Sequence, residues 1–445
     1  MCAVVGVFDS KNAAKVAYYG LFAMQHRGQE ATGITSSEDG KLHTIKGKGL
    51  VTDVFDEDAF NVLQGDMAVG HNRYSTAGND SILDAQPVYA RYSLGEISIV
   101  HNGNLVNKQE VRDGLIEKGA IFQSFMDTEN VIHLIAKSSK KSLQDRITEA
   151  MGKIVGAYNL LIQSRSKMFV IRDRYGIRPL SLGRLRDGGY MVASETCAFD
   201  LVGAEFIRDI NPGEMLVFNK NKELKSIQLF EPEHRPCAFE YIYFARPDSV
   251  IDGKNVYQTR LKMGEILAKE QPADVDLVLP VPDSGVAAAK GYAKKLGVPF
   301  EMGIVRNHYV GRTFIEPTQE IRDLKVKLKL SPIKSLIEGK KVAIVDDSLV
   351  RGTTANQIVR MLKDVGAKEV HMRLASPQIK HPCRYGIDTP SYDELISANL
   401  SLQQICEKIK ADSLGFLSVE GLVESLGKDR NYSLVSFTGE YFATK

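Results

Sequence analysis

Residues 342–355 read VAIVDDSLVRGTTA, and this stretch decides the fold of the second half of the chain. Residues 342–345 form an unbroken apolar run, the pattern of a strand covered on both faces in a parallel sheet. The strand delivers Asp346 and Asp347 to its C-terminal end. Ser348, Arg351, Gly352, Thr353 and Thr354 then lead directly into a helical pattern. Gly352 allows close backbone approach to a ligand. The N–H groups of a helix start, with two threonine hydroxyls, suit a phosphate monoester. Paired carboxylates at a strand end can grip a vicinal diol or help hold a hard divalent cation. A capped helix after a strand would use Asp and Thr only as turn and cap residues. The complete string is more specific than that.

Working outward, residues 276–305 (DLVLPVPDSGVAAAKGYAKKLGVPFEMGIV) repeat the strand–loop–helix–strand rhythm, with PVPDSG at 280–285. Two such units predict a parallel α/β sheet. Between them, residues 306–330 are polar and basic, broken by Gly311 and Pro317, and read as an exposed loop. Upstream the rhythm differs. Short strand-like runs, AVVGVF (3–8), MAVGHNRY (67–74), ISIVHN (97–102), NLLIQS (159–164) and KMFVIRD (167–173), are grouped with helical patterns. Such grouping predicts layers of antiparallel sheet and helix. The boundary falls near residues 229–241, dividing the chain into domains 2–230 and 231–445, as a length of 445 residues leads one to expect. The tail from about Asp393 reads as helical, with no clear element in residues 431–445.

A net charge of +2 and no tryptophan argue against a nucleic-acid partner, and no apolar stretch is long enough to span a bilayer. Five scattered cysteines, Cys2, Cys197, Cys237, Cys383 and Cys406, contain no C-x-x-C. With no export signal in view, they read as reduced thiols in a cytoplasm. Cys2 is the unusual one. Removal of Met1 would leave a thiol and a free α-amine on one residue, a nucleophile carrying its own base.

The residue 342–355 string resembles the phosphoribosyl-pyrophosphate loop of type I phosphoribosyltransferases. That resemblance implies that Asp346 and Asp347 hold the ribose hydroxyls and that Ser348, Arg351, Gly352, Thr353 and Thr354 cradle the 5-phosphate. PVPDSG matches the family's pyrophosphate loop, so Ser284 would hold pyrophosphate and, with Asp346 and Asp347, its Mg²⁺. Residues 306–330 match a lid whose Arg306, Tyr309, Arg312 and Lys325 face the anionic ligand, and Tyr257 matches a residue beside an ammonia channel. Behind Cys2, the motifs HRGQEATGI (26–34), GHNRYSTAG (70–78), AQP (85–87), HNGNLVN (101–107) and DTEN (127–130) resemble the N-terminal-nucleophile domain of glutamine amidotransferases. The implied fold is a four-layer αββα sandwich. Cys2 would attack the glutamine amide, Asn102 and Gly103 would form the oxyanion hole, Arg73 would clamp the α-carboxylate and Asp127 would bind the α-ammonium.

Together the halves resemble the glutamine phosphoribosylpyrophosphate amidotransferases. The resemblance implies transfer of glutamine-derived ammonia to C1 of phosphoribosyl pyrophosphate, feedback by purine nucleotides, and a homotetramer. Another amidotransferase would need sugar-isomerase repeats, and a phosphoribosyl-pyrophosphate-sensing regulator would need a DNA-binding module. Some family members hold a four-iron, four-sulfur cluster on four cysteines. Only Cys237 and Cys383 match those positions, residues 430–433 contain no cysteine, and no cluster is expected.

Overall fold

The strand Ala3–Phe8 is buried along its whole length because its two faces meet different apolar layers. Val4 and Phe8 pack with Val69, Leu161, Val170 and Phe218. Ala3, Val5 and Val7 instead join Ala17 and Leu21 of the helix Ala13–Ala23. This alternation follows from the period of two along a strand. It makes Ala3–Phe8 the centre of a sandwich.

A computed structural model describes residues 1–74, 81–219, 223–307, 330–389 and 391–443. Among the described residues, seven strands form one sheet in the spatial order Glu205–Asp209, Ser181–Arg184, Tyr190–Ala193, Ala3–Phe8, Met67–Arg73, Ala31–Glu38, Lys41–Lys48. Six more form a second sheet in the order Leu224–Gln228, Glu214–Asn219, Lys167–Arg172, Gly156–Ser164, Gly95–Leu105, Val88–Tyr92. Neighbouring strands are antiparallel in both. The second sheet turns Ile97, Ile99, Leu160 and Ile162 toward the helices Asp127–Lys137 and Leu143–Met151. Helix, sheet, sheet and helix therefore stack as four layers.

Among the described residues, the second half is built on four parallel strands in the order Leu277–Pro280, Lys341–Asp346, Glu369–Leu374, Ser413–Phe416. Val278, Ala343 and Val345 pack with the helices Val256–Glu270 and Val286–Leu296 on one face. Leu277, Leu279, Ile344 and Met372 pack with Thr353–Asp364 and Leu402–Ile409 on the other. Cover on both faces explains the unbroken apolar runs.

The tail departs from the helical expectation. Ser413–Phe416 (SLGF) is the fourth strand, and Val435–Thr438 is a short helix. Four residues including a glycine carry no readable period. The open edge of Glu369–Leu374 makes them a strand, through pairing in parallel from His371 opposite Ser413 to Leu374 opposite Phe416. The tail then returns toward the first half, where Ser433 bridges to Cys237 and the Phe442 ring lies 5.0 Å from that of Tyr175.

Candidate active sites

Cys2 immediately precedes the central strand, whose Ala3 lies opposite Asn72 in the antiparallel register. That register carries Cys2 to the side of Arg73, at the end of Met67–Arg73. Both residues line a cleft with Gln86, His101, Gly103, Phe125 and Asp127. The Cys2 thiol donates weakly to the Tyr74 carbonyl at 3.7 Å. Its own carbonyl accepts from Arg27 Nε at 3.0 Å. Cys2 N is here in peptide linkage to Met1, whose amine is buried and, chiefly by burial, lowered in pKa to about 5. A free Cys2 α-amine therefore requires loss of Met1.

Two donors in and beneath this cleft stand buried without hydrogen-bond partners among the described residues, Arg73 Nη2 and Asn102 Nδ2. Arg73 Nη2 lies 3.6 Å from Asp84 Oδ2, an ion pair too long for a hydrogen bond. Unsatisfied buried donors cost a few kcal/mol each, about 1–3 by mutational measures, unless a ligand completes them. An incoming carboxylate suits Arg73, and a developing oxyanion suits Asn102. Gly103, next to it on Gly95–Leu105, has φ of +149°, and a Cβ there would sit 2.0 Å from the Ala157 carbonyl oxygen. Only glycine is accommodated. Asp127 takes the Leu105 N–H at 2.9 Å and faces His101 Nδ1 at 3.2 Å. Burial pushes its pKa up, but His101 and the Leu105 amide outweigh that, so the carboxyl is held below its ordinary value.

Several neighbours of the cleft carry no role legible in the sequence. His101 holds Asp127, and Gln86 Oε1 accepts the His101 N–H at 2.7 Å. Arg27 reaches Glu195 at 2.6 Å and Glu240 at 3.0 Å, while Arg178 meets Glu240 at 3.3 Å. The HRG and AQP motifs contained Arg27 and Gln86. Glu195 and Glu240 are far apart in sequence, and no local signal joins them.

At the second site, the register places Pro280 opposite Val345, and the Val281 N–H continues onto the Val345 carbonyl at 2.9 Å. A Cβ on Gly285 would lie 2.4 Å from that same carbonyl. The Ser284 loop and the Asp346 loop are thereby brought together at the C-terminal ends of adjacent parallel strands, where such sheets bind ligands. The Asp347 N–H donates to Asp346 Oδ1 at 2.8 Å, and the Ser348 hydroxyl donates to Asp347. Burial and the Asp347 charge raise the Asp346 pKa well above normal. Gly352 has φ of +79° at the N-cap, and Thr353 and Thr354 stand exposed on the first helical turn. Arg351 is engaged by Glu394 at 2.7 Å in an exposed pair, Arg306 pairs with Asp283, and the Tyr257 hydroxyl accepts from Lys290 at 3.3 Å. Tyr309, Arg312 and Lys325 lie outside the described residues.

The donor set of the second site, two carboxylates and a serine hydroxyl, is hard oxygen and fits Mg²⁺. Among the described residues no three His, Cys, Asp or Glu side chains form an all-protein metal cage. Cys237 bridges to Ser433. All five cysteines are free, and burial pushes Cys237 up to about 11. No helix among the described residues is long and apolar enough to cross a membrane.

The fold and the two sites define a glutamine amidotransferase domain joined to a phosphoribosyltransferase. Family models agree: a glutamine amidotransferase domain matches residues 71–200 and a phosphoribosyl transferase domain matches residues 257–383. Amidophosphoribosyltransferase 2, chloroplastic, of Arabidopsis thaliana is 50% identical over 442 residues, 99% of this chain and 79% of that protein. Amidophosphoribosyltransferase of Bacillus subtilis (strain 168) is 46% identical over 447 residues, 99% of this chain and 94% of that protein. A solved structure of the glutamine phosphoribosylpyrophosphate amidotransferase of B. subtilis, complexed with ADP and GMP, superposes with a TM-score of 0.93 at 45% identity, covering 99% of this chain and 97% of that one. The chain belongs to the amidophosphoribosyltransferase family.

Proposed function

We propose that the chain hydrolyses glutamine at Cys2 and passes the ammonia to C1 of phosphoribosyl pyrophosphate, giving 5-phosphoribosylamine, glutamate and pyrophosphate, the first step of purine synthesis. The observation that carries this reading is the pair of buried donors at the Cys2 cleft left unsatisfied among the described residues, Arg73 Nη2 and Asn102 Nδ2. They match a glutamine α-carboxylate and the oxyanion of its attacked amide. The Cys2 thiolate adds to the amide carbon, and the charge moving onto oxygen is met by Asn102 Nδ2 and the Gly103 N–H. Asp127, kept ionised, holds the α-ammonium. The freed Cys2 α-amine carries the thiol proton to the leaving nitrogen, and water then releases glutamate from the thioester.

In the second domain, Asp346 and Asp347 bind the ribose hydroxyls, Ser348 and residues 351–354 hold the 5-phosphate, and Ser284 holds pyrophosphate. Ser284, Asp346 and Asp347 would hold Mg²⁺, which when bound would supply neutralisation of the pyrophosphate charge. Ammonia attacks C1 as pyrophosphate departs. Arg306, Tyr309, Arg312 and Lys325 belong to the lid, and Tyr257 to the ammonia path. The same reading takes 2–230 and 231–445 as the domains, purine nucleotides as feedback inhibitors, a cytoplasmic setting and no iron–sulfur cluster. It also takes the chain as a homotetramer. Self-association is supported by the exposed Tyr19, Phe22, Leu201, Phe206 and Ile207, where the helix Cys197–Val202 touches both the helix Ala13–Ala23 and the strand Glu205–Asp209.

The test is a coupled assay of glutamate and phosphoribosylamine with each substrate and Mg²⁺ omitted in turn. Synthesis is expected to need all three. The double variant Asp346→Asn, Asp347→Asn is expected to lose synthesis from either glutamine or ammonia while still releasing glutamate. Retained synthesis in that variant would refute the ribose-binding role.

A further inference from the structure

The segment around Tyr385 follows the third strand of the parallel sheet, yet it is seated on the first domain. Asn104 Nδ2 donates to the Arg384 carbonyl at 2.8 Å. Gly386 has φ of +100°, and a Cβ placed there would lie 3.0 Å from the Gly103 carbonyl carbon, 3.1 Å from its oxygen and 3.2 Å from its Cα. Gly103 is closed from another side by the Ala157 carbonyl oxygen, 2.0 Å from a Cβ built there. The Gly103 main chain is thus held between Ala157 of its own domain and Gly386 of the other.

The turn itself is tied down by Arg178 and by the end of the chain. Arg178, fully buried, donates from Nε and Nη2 to the Tyr385 carbonyl at 3.1 and 2.6 Å. The Tyr385 hydroxyl accepts the Phe442 and Ala443 N–H groups at 2.9 and 3.0 Å. Arg178 of the first domain and the end of the chain therefore fix the turn, through which Gly386 of the second domain meets Gly103.

We propose that the Tyr385–Gly386 turn is a positioning element for the glutaminase: the second domain, through this turn, aims the Gly103 N–H at the oxyanion. The inference rests on the reading of Asn102 and Gly103 as the oxyanion hole. It explains why a glycine with positive φ stands at 386, where a side chain would press on the Gly103 Cα and carbonyl and shift them by a few tenths of an ångström. A displacement of that donor by a fraction of an ångström acts on the transition state more than on bound glutamine. Gly386 and Tyr385 are positioning residues; neither is placed in contact with substrate.

The test compares Gly386→Ala, Tyr385→Phe and Asn102→Ala in the full-length enzyme, with two probes besides glutamine. Glutamate γ-semialdehyde adds the Cys2 S–H across its C=O, forming the S–C bond and placing the former carbonyl oxygen in the oxyanion hole. Glutamate binds without that adduct. Gly386→Ala and Tyr385→Phe are expected to lower glutamine kcat about 10–100-fold. Aldehyde inhibition is expected to weaken by a similar factor, with KM, glutamate inhibition and ammonia-dependent synthesis unchanged. If Gly386→Ala fails to fold, Tyr385→Phe decides. Equal weakening of aldehyde and glutamate, or no effect on either, overturns the inference. In that event, weakened aldehyde binding in Asn102→Ala leaves the oxyanion-hole reading intact. No such weakening in Asn102→Ala sinks that reading and this inference with it.

Discussion

Cys2 sits at the end of a central strand, and its neighbours are set by register more than by proximity in sequence. Arg73 arrives because Ala3 is paired with Asn72, and Gly28 follows because a Cβ there would lie 2.6 Å from the Arg73 backbone. Cys2→Ala is expected to abolish glutamine-dependent synthesis, by about 10³–10⁶-fold, while ammonia-dependent synthesis is retained. Parallel assays with the two nitrogen sources check this. Equal loss of both in a folded variant would contradict the separation of the two sites.

At the scale of the element, the helix Asp127–Lys137 matters because its first turn holds the cleft wall. Glu129 accepts the Gln123 N–H at 2.8 Å and the Ser124 N–H and hydroxyl at 2.9 and 2.7 Å. It thereby shapes the loop that presents Phe125 and Met126 to the cleft. Burial alone would raise the Glu129 pKa, but His133 and these donors lower it from 4.5 to about 2. A depressed carboxylate pKa contributes stability above its unfolded value and loses it as pH falls through the folded one. Glu129→Gln is therefore expected to cost about 1–3 kcal/mol near neutrality and to raise the glutamine KM. The stability gap from wild type should narrow between pH 4.5 and about 2. Thermal unfolding across that range measures it, and a gap independent of pH would exclude the carboxylate as its source.

For the whole molecule, the decisive contact is the buried charge network between domains. Glu240 receives Arg27 and Arg178 from the first domain, and all three side chains are almost wholly inaccessible to solvent. Arg27 in turn holds the Cys2 carbonyl. Arg260 donates to the Tyr241 and Ala245 carbonyls, bracketing the same segment, and feels the charge of Asp347 at the second site. The two chemistries thus share one polar scaffold. Removing one member leaves buried guanidinium charge uncompensated, so Glu240→Gln is expected to destabilise the protein by about 3–5 kcal/mol. Denaturant unfolding tests this. A loss below about 1 kcal/mol would mark the network as solvent-screened.

The chemistry-bearing strings were legible in the residues themselves because each is local: a strand end, a loop and a helix start in residues 342–355, and a thiol one residue from Met1. Apolar runs likewise revealed which strands are covered on both faces. Tertiary structure alone decided the rest. SLGF carries no period, so only the open sheet edge makes it a strand. Asp127 and His101 meet through the packing of a helix on a sheet, and Glu195 and Glu240 converge on Arg27 across more than one element. Gly386 reads as an ordinary turn glycine until the Gly103 main chain is found against it. Local pattern records how a segment satisfies its own backbone and faces. Partners brought from another domain leave no mark in it, because the energy of their contact belongs to both segments together.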